Sequence, residues 1–303
     1  MQPRHLELLR QLSVHGSLAA VAAATHRTPS ALSQQLKTAS ADLGVRLVEP
    51  DSRGIRLTPE GQLLAEGADE VLAAIEGLRA RLEAAAGEPR GIVRLAVLPS
   101  AATVLLPALM GRLAGSGIRL EVDDLDVAES DFAARTLTAD VVIAHSPAGG
   151  APRGSEGLRR RTLLREPLDI AVPPGHPLAA LPSLDPADLA GTRWIGVPPG
   201  YPFDAVLVAV EQQLGTPLER VLRVRDNQLV RSLVGAGVGL AVLPRLTTAP
   251  GPDIALRPLR HPAAQRSVVA LARRDIAQRS AVAEVLRLLT EIGRAAGESA
   301  PRI

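Results

Sequence analysis

The hydrophobic period of this 303-residue chain changes once, near Gly91, and that change limits what it can fold into. Ahead of it, apolar residues recur at three- and four-residue spacing, as amphipathic helices require. Beyond it, short apolar runs alternate with helical stretches, the pattern of a sheet covered by helices. The two periods divide the chain into differently built parts, and its length is sufficient for both.

The first part opens with Leu6, Leu9 and Leu12 on one helical face, ending near His15-Gly16. Ser17 suits an N-cap for a short helix over 18–24, nearly all alanine, which lets another helix cross it closely. After a turn at Thr25-His26-Arg27, Thr28-Pro29 combines a cap with proline at the first helical position, a strong start signal. The third helix runs to about Ala39, with Leu32, Leu36 and Ala39 inward and Pro29, Ser30, Ser33, Gln34 and Lys37 outward. This is a helix-turn-helix whose second member presents a polar face. Serine and glutamine can donate to and accept from base edges, and Lys37 can neutralise a phosphate. Charge agrees with that reading. Between residues 8 and 41 there is no Asp or Glu, whereas 60–88 is rich in both, so a polyanion is drawn to the first segment and repelled by the second. A plain three-helix packing unit shares the spacing, and the next stretch separates the two readings.

Two short apolar runs around Asp51-Ser52-Arg53-Gly54 read as a β-wing, with Arg53 and Arg56 flanking its turn within reach of a sugar-phosphate backbone. Thr58-Pro59 then repeats the cap-plus-proline device and begins a long helix. In it Leu64, Ala68, Val71, Ile75, Leu78 and Leu82 follow at alternating spacings of four and three, a coiled-coil seam expected to face a second copy of the chain. Gly87-Glu88-Pro89-Arg90-Gly91 ends it as a hinge.

Beyond the hinge, strands are expected at 92–98, 118–122, 141–144, 168–172, 194–197, 221–224, 240–243 and 268–272. Helices are expected through Leu105, Leu109 and Leu113, around 131–137, at 205–214 and 229–236, and at the C-terminus, with Val282, Val285, Leu286, Leu289 and Ile292 inward. The result is an α/β domain of mainly parallel strands in two lobes. In such folds ligands lie at the carboxyl ends of strands, where helix N-termini offer free N–H groups. That rule selects Ser100, Ala101 and Thr103 after the first strand, His145 at the end of another, Tyr201, Pro202 and Phe203 in the loop after 194–197, and Asn227 ahead of a further helix. Each position also suits an ordinary cap or turn, and His145 a satisfied core histidine. Tyr201 and Phe203 are the sharper signal, because the chain has only one Trp, one Tyr and two Phe.

Composition narrows the function. There is no cysteine, which excludes disulfides, thiolate metal sites and cysteine nucleophiles. The start lacks the charged-then-apolar pattern of a secretory signal, and no uncharged apolar stretch reaches the ~18 residues of a membrane span. Nothing matches G-x-S-x-G, H-E-x-x-H, a P-loop or a phosphate-cradling G-x-G-x-x-G after a strand, so no catalysis, cofactor or metal is expected. A solute-binding protein would fit the second part but has no use for the first ninety residues. A DNA-binding protein whose second part only oligomerises is the closer rival to a sensor.

In order and spacing the chain resembles the LysR-type family of bacterial transcription regulators. Three stretches carry the likeness: Ser17-Leu18-Ala19-Ala20-Val21-Ala22 with Thr28-Pro29-Ser30-Ala31-Leu32-Ser33-Gln34-Gln35-Leu36; Leu43-Gly44-Val45-Arg46-Leu47 with Leu57-Thr58-Pro59-Glu60-Gly61; and Pro173-Pro174-Gly175-His176-Pro177-Leu178 with Gly235-Ala236-Gly237-Val238-Gly239-Leu240. It departs from the family at Leu8, Leu9 and Leu18, where aromatics are usual, and at Ala39-Ser40, where a Leu-Glu pair is usual. The resemblance implies a winged helix-turn-helix at 1–61, a dimerising linker helix at 62–88, and a two-lobed, periplasmic-binding-protein-like effector domain at 91–303. Lobe I would take about 91–165 and 263–303, and lobe II about 166–262. It further implies a cytoplasmic homodimer, usually paired into a tetramer, with double-stranded DNA at an inverted-repeat promoter site and a small-molecule effector as partners; RNA polymerase is a further candidate partner. Among the effector positions the resemblance favours Ser100 and Tyr201 to Phe203.

Overall fold

Both threonine-proline steps cap helices. A computed structural model describes residues 2–25, 27–51, 54–124, 132–147, 150–201, 203–248, 251–262 and 264–298. In it, helices α1 (Pro3–His15) and α2 (Leu18–Thr25) precede α3 (Pro29–Leu43), whose first turn is closed by Thr28 Oγ1 accepting from Ala31 N at 3.3 Å. Thr58 does the same for α4 (Pro59–Ala86), accepting from Gly61 N and donating to Arg46 O, which ties the long helix to the wing. Helix α3 runs four residues beyond its expected end at Ala39, because no breaker intervenes before Gly44, which takes φ +69° and closes the helix.

Leu32, Leu36 and Ala39 of α3 pack with Leu8, Leu9, Leu12, Val21, Ala22, Leu47 and Ala65 into a core without an aromatic ring. Burial of each large apolar side chain there contributes ~1.5–3 kcal/mol. The wing is the antiparallel pair β1 (Val48–Asp51) and β2 (Gly54–Leu57), with Glu49 opposite Arg56.

Helix α4 divides its apolar residues among three surroundings, which corrects the single seam expected from sequence. Ala68 is 0% exposed and Leu64 half-buried, both on the helix-turn-helix side. Ile75, with Leu72, lines a groove against Arg273 and Ile276 of the C-terminal part. Only Val71, Leu78 and Leu82 of the expected six stay exposed, and Leu63 joins them one row over. A straight helix drifts about 20° per heptad relative to a 3.5-residue repeat, so a strict seam cannot stay on one face against a globular neighbour.

The C-terminal part is built on β3 (Arg90–Val97), β4 (Gly117–Asp124), β5 (Val141–Pro147), β6 (Arg159–Val172), β7 (Arg193–Gly196), β8 (Glu219–Arg223), β9 (Ala241–Pro244), β10 (Ala255–Pro258) and β11 (Gln265–Ala272). Strand β6 belongs to both lobes. Its first half pairs with β11 in a sheet ordered β4-β3-β5-β11-β6, and its second half, from Leu168, pairs with β9 and β10. Backbone bonds between Leu240 and both Arg193 and Ile195 join β9 to β7 and so to β8. The expectation of mainly parallel strands is corrected: β3–β4, β3–β5 and β7–β8 are parallel, but every pairing of β6 and β11 is antiparallel. Two long strands that carry the chain from one lobe to the other and back must run in opposite directions.

Helices α5 (Pro99–Leu113) and α9 (Ser280–Glu298) cover lobe I, and the short α6 (Phe132–Arg135) adds Phe132 to its core. In lobe II the sheet is covered on both faces. Leu168, Ile170 and Val172 face α7 (Asp204–Leu214), while Ala171 faces α8 (Asn227–Gly235). Trp194, fully buried on the α7 face, donates its indole N–H to Thr192 Oγ1 at 2.9 Å.

Gly61 sits where α4 crosses the strand that begins the wing, and a Cβ built there would collide with the Leu47 carbonyl oxygen. Gly61→Ala is expected to destabilise the N-terminal domain by about 1–3 kcal/mol, the usual cost of overpacking. Urea denaturation of the variant against the parent measures it.

Candidate nucleic-acid interface and interlobe cavity

The outer face of α3 is exposed and carries no acid. Pro29, Ser30, Gln34 and Lys37 are exposed and Ser33 is partly so. The hydroxyl of Thr28 is engaged by the cap and lies 3.2 Å from Ser30 Oγ, so at this corner the helix presents capped, anion-friendly backbone rather than a free threonine hydroxyl. Ser33, Gln34 and Lys37 have no side-chain partner among the described residues, which leaves them available to an incoming ligand. Gln35, next in line, is spent on Arg4 O and Arg27. In the wing Arg56 is exposed but paired with Glu49 at 2.8 Å, so a phosphate would have to compete with that carboxylate. Arg53 lies outside the described residues.

Between the lobes is a cavity of about 170 Å³. Lobe I supplies Ser100 and Thr103 from the start of α5, Phe132, and His145 from β5; lobe II supplies Tyr201, Phe203 and Asn227. The structure therefore gathers six of the eight effector candidates on one surface. Ala101 is the correction: a helix turns about 100° per residue, which carries its methyl away from Ser100 and into the lobe I core. Pro202 lies outside the described residues.

Sequence reasoning missed the residue that organises this cavity. Arg266, the second residue of β11, opposes Glu166 of β6 in the antiparallel register. The guanidinium and carboxylate are 2% and 1% exposed, with Arg266 Nε donating to Glu166 Oε2 at 2.8 Å and Nη2 2.6 Å from the same oxygen. Arg266 Nη1 donates to Ser100 Oγ at 2.9 Å, and its guanidinium carbon lies 5.4 Å from the centre of the Phe203 ring. Glu166 accepts in addition from Leu246 N. One buried ion pair thus holds α5, the loop before α7 and both crossover strands. An arginine at the head of a strand carries no sequence signal for such a role. The scarcity of aromatics, applied to Phe132 as it was to Tyr201 and Phe203, would have found a further wall residue.

His145 stands between two rings, edge-on to Phe132 at 5.7 Å and to Phe203 at 6.3 Å. Burial holds its pKa well below the usual histidine value, and the nearby Arg266 charge pushes the same way. The imidazole is therefore neutral near pH 7, and its Nδ1 is buried without a hydrogen-bond partner. Asp226 caps α8 by accepting from Leu229 N at 2.7 Å. His176 likewise caps the turn Pro177–Ala180 with Nδ1, a structural use.

Residues 3–62 match the family model described as the bacterial regulatory helix-turn-helix protein, lysR family, and residues 86–294 that of the LysR substrate binding domain. This chain belongs to the LysR family. LysR-family membership makes it a DNA-binding transcription regulator with an effector-responsive C-terminal domain. It is 32% identical over 265 residues to the small neutral protease regulatory protein of Streptomyces coelicolor, covering 85% of this chain and 82% of that one. It is 26% identical over 252 residues to the transcriptional dual regulator OxyR of Escherichia coli K12, covering 82% and 81%. Among LysR-family structures, a full-length cysteine variant of OxyR from Pseudomonas aeruginosa superposes with TM-score 0.66 at 20% identity, over 100% of this chain and 98% of that one. Full-length CbnR in complex with its target DNA superposes with TM-score 0.54 at 22% identity, over 97% and 100%. These likenesses establish the fold. No helix among the described residues is long and apolar enough to cross a membrane.

Two measurements probe the cavity wall. Glu166→Gln leaves a buried guanidinium without its counter-charge, and a loss of about 3–5 kcal/mol in chemical denaturation is expected. The second concerns pH. Because the folded-state pKa of His145 lies below the unfolded value, the unfolded chain takes up that proton first, and stability present above pH ~6.5 is lost as pH falls through the interval beneath it. His5, lowered mainly by burial, acts in the same direction in the N-terminal domain. Melting temperature against pH should therefore fall less steeply below pH ~6.5 for His145→Gln than for the parent; parallel curves would contradict the buried neutral imidazole.

Proposed function

We propose that residues 1–61 read an inverted-repeat promoter site, that 62–88 pair two copies of the chain, and that 91–303 sense a small molecule held between the lobes. Two copies of α3 would enter successive major grooves about 34 Å apart, the spacing of helix-turn-helix dimers. Ser30, Ser33 and Gln34, over the Pro29 step, meet base edges, while Lys37, Arg53, Arg56 and the α3 N-terminus at Thr28 hold phosphates. The exposed row Leu63, Val71, Leu78 and Leu82 on α4 supports pairing with a second copy, and pairs of dimers would form the tetramer. Ser100, Thr103, His145, Tyr201, Phe203 and Asn227 supply the effector's surroundings, with Arg266 added. The setting is the bacterial cytoplasm, and RNA polymerase is the further partner when the site lies at a promoter.

The observation that carries this reading is the acid-free, unpartnered polar face of α3 above a fully apolar core. A DNA-binding protein whose C-terminal part served only assembly would have no need of a cavity with a buried, unpartnered imidazole on its wall.

Fluorescence anisotropy with the upstream intergenic DNA and a scrambled duplex, across a salt series, tests it. Specific binding should exceed non-specific binding by at least ~10³. Ser33→Ala with Gln34→Ala should erase that preference while leaving the salt slope intact. Lys37→Ala should weaken both duplexes and lower the slope by about one. Absence of binding even at low salt would overturn the reading.

A further inference from the structure

Three of the four Phe, Tyr and Trp residues in the chain, Phe132, Tyr201 and Phe203, line the one interlobe cavity, and the fourth is in the lobe II core. A chain that builds its cores almost entirely from Ala, Leu, Ile and Val has placed its flat side chains where a ligand would lie. The cavity, about 170 Å³, is close to the roughly 150 Å³ that accommodates one benzene ring. A nucleotide or a peptide is too large for it.

The polar groups define the other end of that ligand. Helix α5 starts on Leu98, which has no side-chain acceptor to cap the first turn, whereas α3, α4 and α8 are capped by Thr28, Thr58 and Asp226. The Ser100 amide has no acceptor within its own helix, and the Ser100 hydroxyl beside it is held by Arg266 Nη1. An anionic oxygen at this point would complete the cap and meet an ordered guanidinium. Asp226 also borders the cavity, but one of its oxygens is spent on the Leu229 amide of α8. The second, independent sign of a ligand is His145, buried on the cavity wall with Nδ1 unpartnered and both its neighbours aromatic.

Building on the interlobe reading above, we propose that the cavity takes a small flat organic anion, a single-ring carboxylate. Its carboxylate lies at the Ser100 end of α5 and Arg266, and its ring packs among Phe132, His145 and Phe203. A hydrogen-bonding ring substituent, such as a hydroxyl, would engage the orphan His145 nitrogen.

Isothermal titration of the full-length protein with benzoate, benzamide and benzylamine separates charge from shape. Benzoate should bind at millimolar concentration or better, and benzamide about tenfold more weakly, the loss of a charge-assisted hydrogen bond. Benzylamine should not bind. Ser100→Ala should cut benzoate affinity about tenfold, and Phe203→Leu, a second variant checked for folding by its DNA affinity, should weaken benzoate and benzamide alike. Benzamide or benzylamine matching benzoate, with binding still sensitive to Phe203→Leu, would overturn the anion proposal and leave the interlobe site standing. Benzoate binding indifferent to both substitutions would overturn the site itself. No binding by any of the three would overturn the single-ring class.

Discussion

The buried pair of Glu166 and Arg266 is the contact on which the C-terminal domain's geometry depends. It falls on the last paired steps of β6 and β11 before β6 crosses into the second lobe. Removing both charges from water is expensive, and well-packed apolar residues could occupy the same space at equal or greater stability. What an apolar pair could not do is reach outward. Arg266 still has a hydrogen bond for Ser100 and a face for Phe203, and Glu166 one for Leu246. The pair therefore couples the spacing of the two lobes to the shape of the wall between them. A second buried pair, Arg245 with Asp169, fastens β6 to the end of β9 on the far side of the same crossing.

The N-terminal domain reaches a packed state with few resources. Its core is leucine, alanine and valine, and leucines stand where relatives use aromatics. Small side chains let α2 and α3 approach closely, and Gly61 lets α4 approach the wing strand, so close backbone contact replaces bulk. The linker helix is then shared. Its first turns complete the small domain, its middle meets Arg273 and Ile276 of lobe I, and a narrow exposed row is left for a second chain. Glu7 of α1 reaches Arg273 at 3.6 Å, so the DNA-binding part also touches the effector part directly.

Where local chemistry decides structure, the sequence was readable. The caps at Thr28 and Thr58, the inner face of α3, the wing and the apolar strands of both lobes follow from short-range rules that tertiary packing did not override. Legibility failed where partners are distant. The first half of β6, Arg159 to Glu166, is too basic to read as a strand, since its pattern is set by exposure at an edge rather than by a core. Strand β10 was missed because it is short and half-buried throughout. The linker seam was misread because the periodicity of a helix records that faces are buried, and not by what. Of the cavity, the residues next to helix N-termini were legible, and Arg266 was not, because its meaning comes from Glu166, a hundred residues away.

The single tryptophan has an experimental consequence. Trp194 is sealed in lobe II beside the α7 helix, with its indole hydrogen-bonded, and no other residue of its kind competes with its emission. Intrinsic fluorescence of the intact protein is thus a native optical probe of one lobe alone. It should report lobe II melting even when the helix-turn-helix has already come apart, and stay silent when the small domain unfolds by itself.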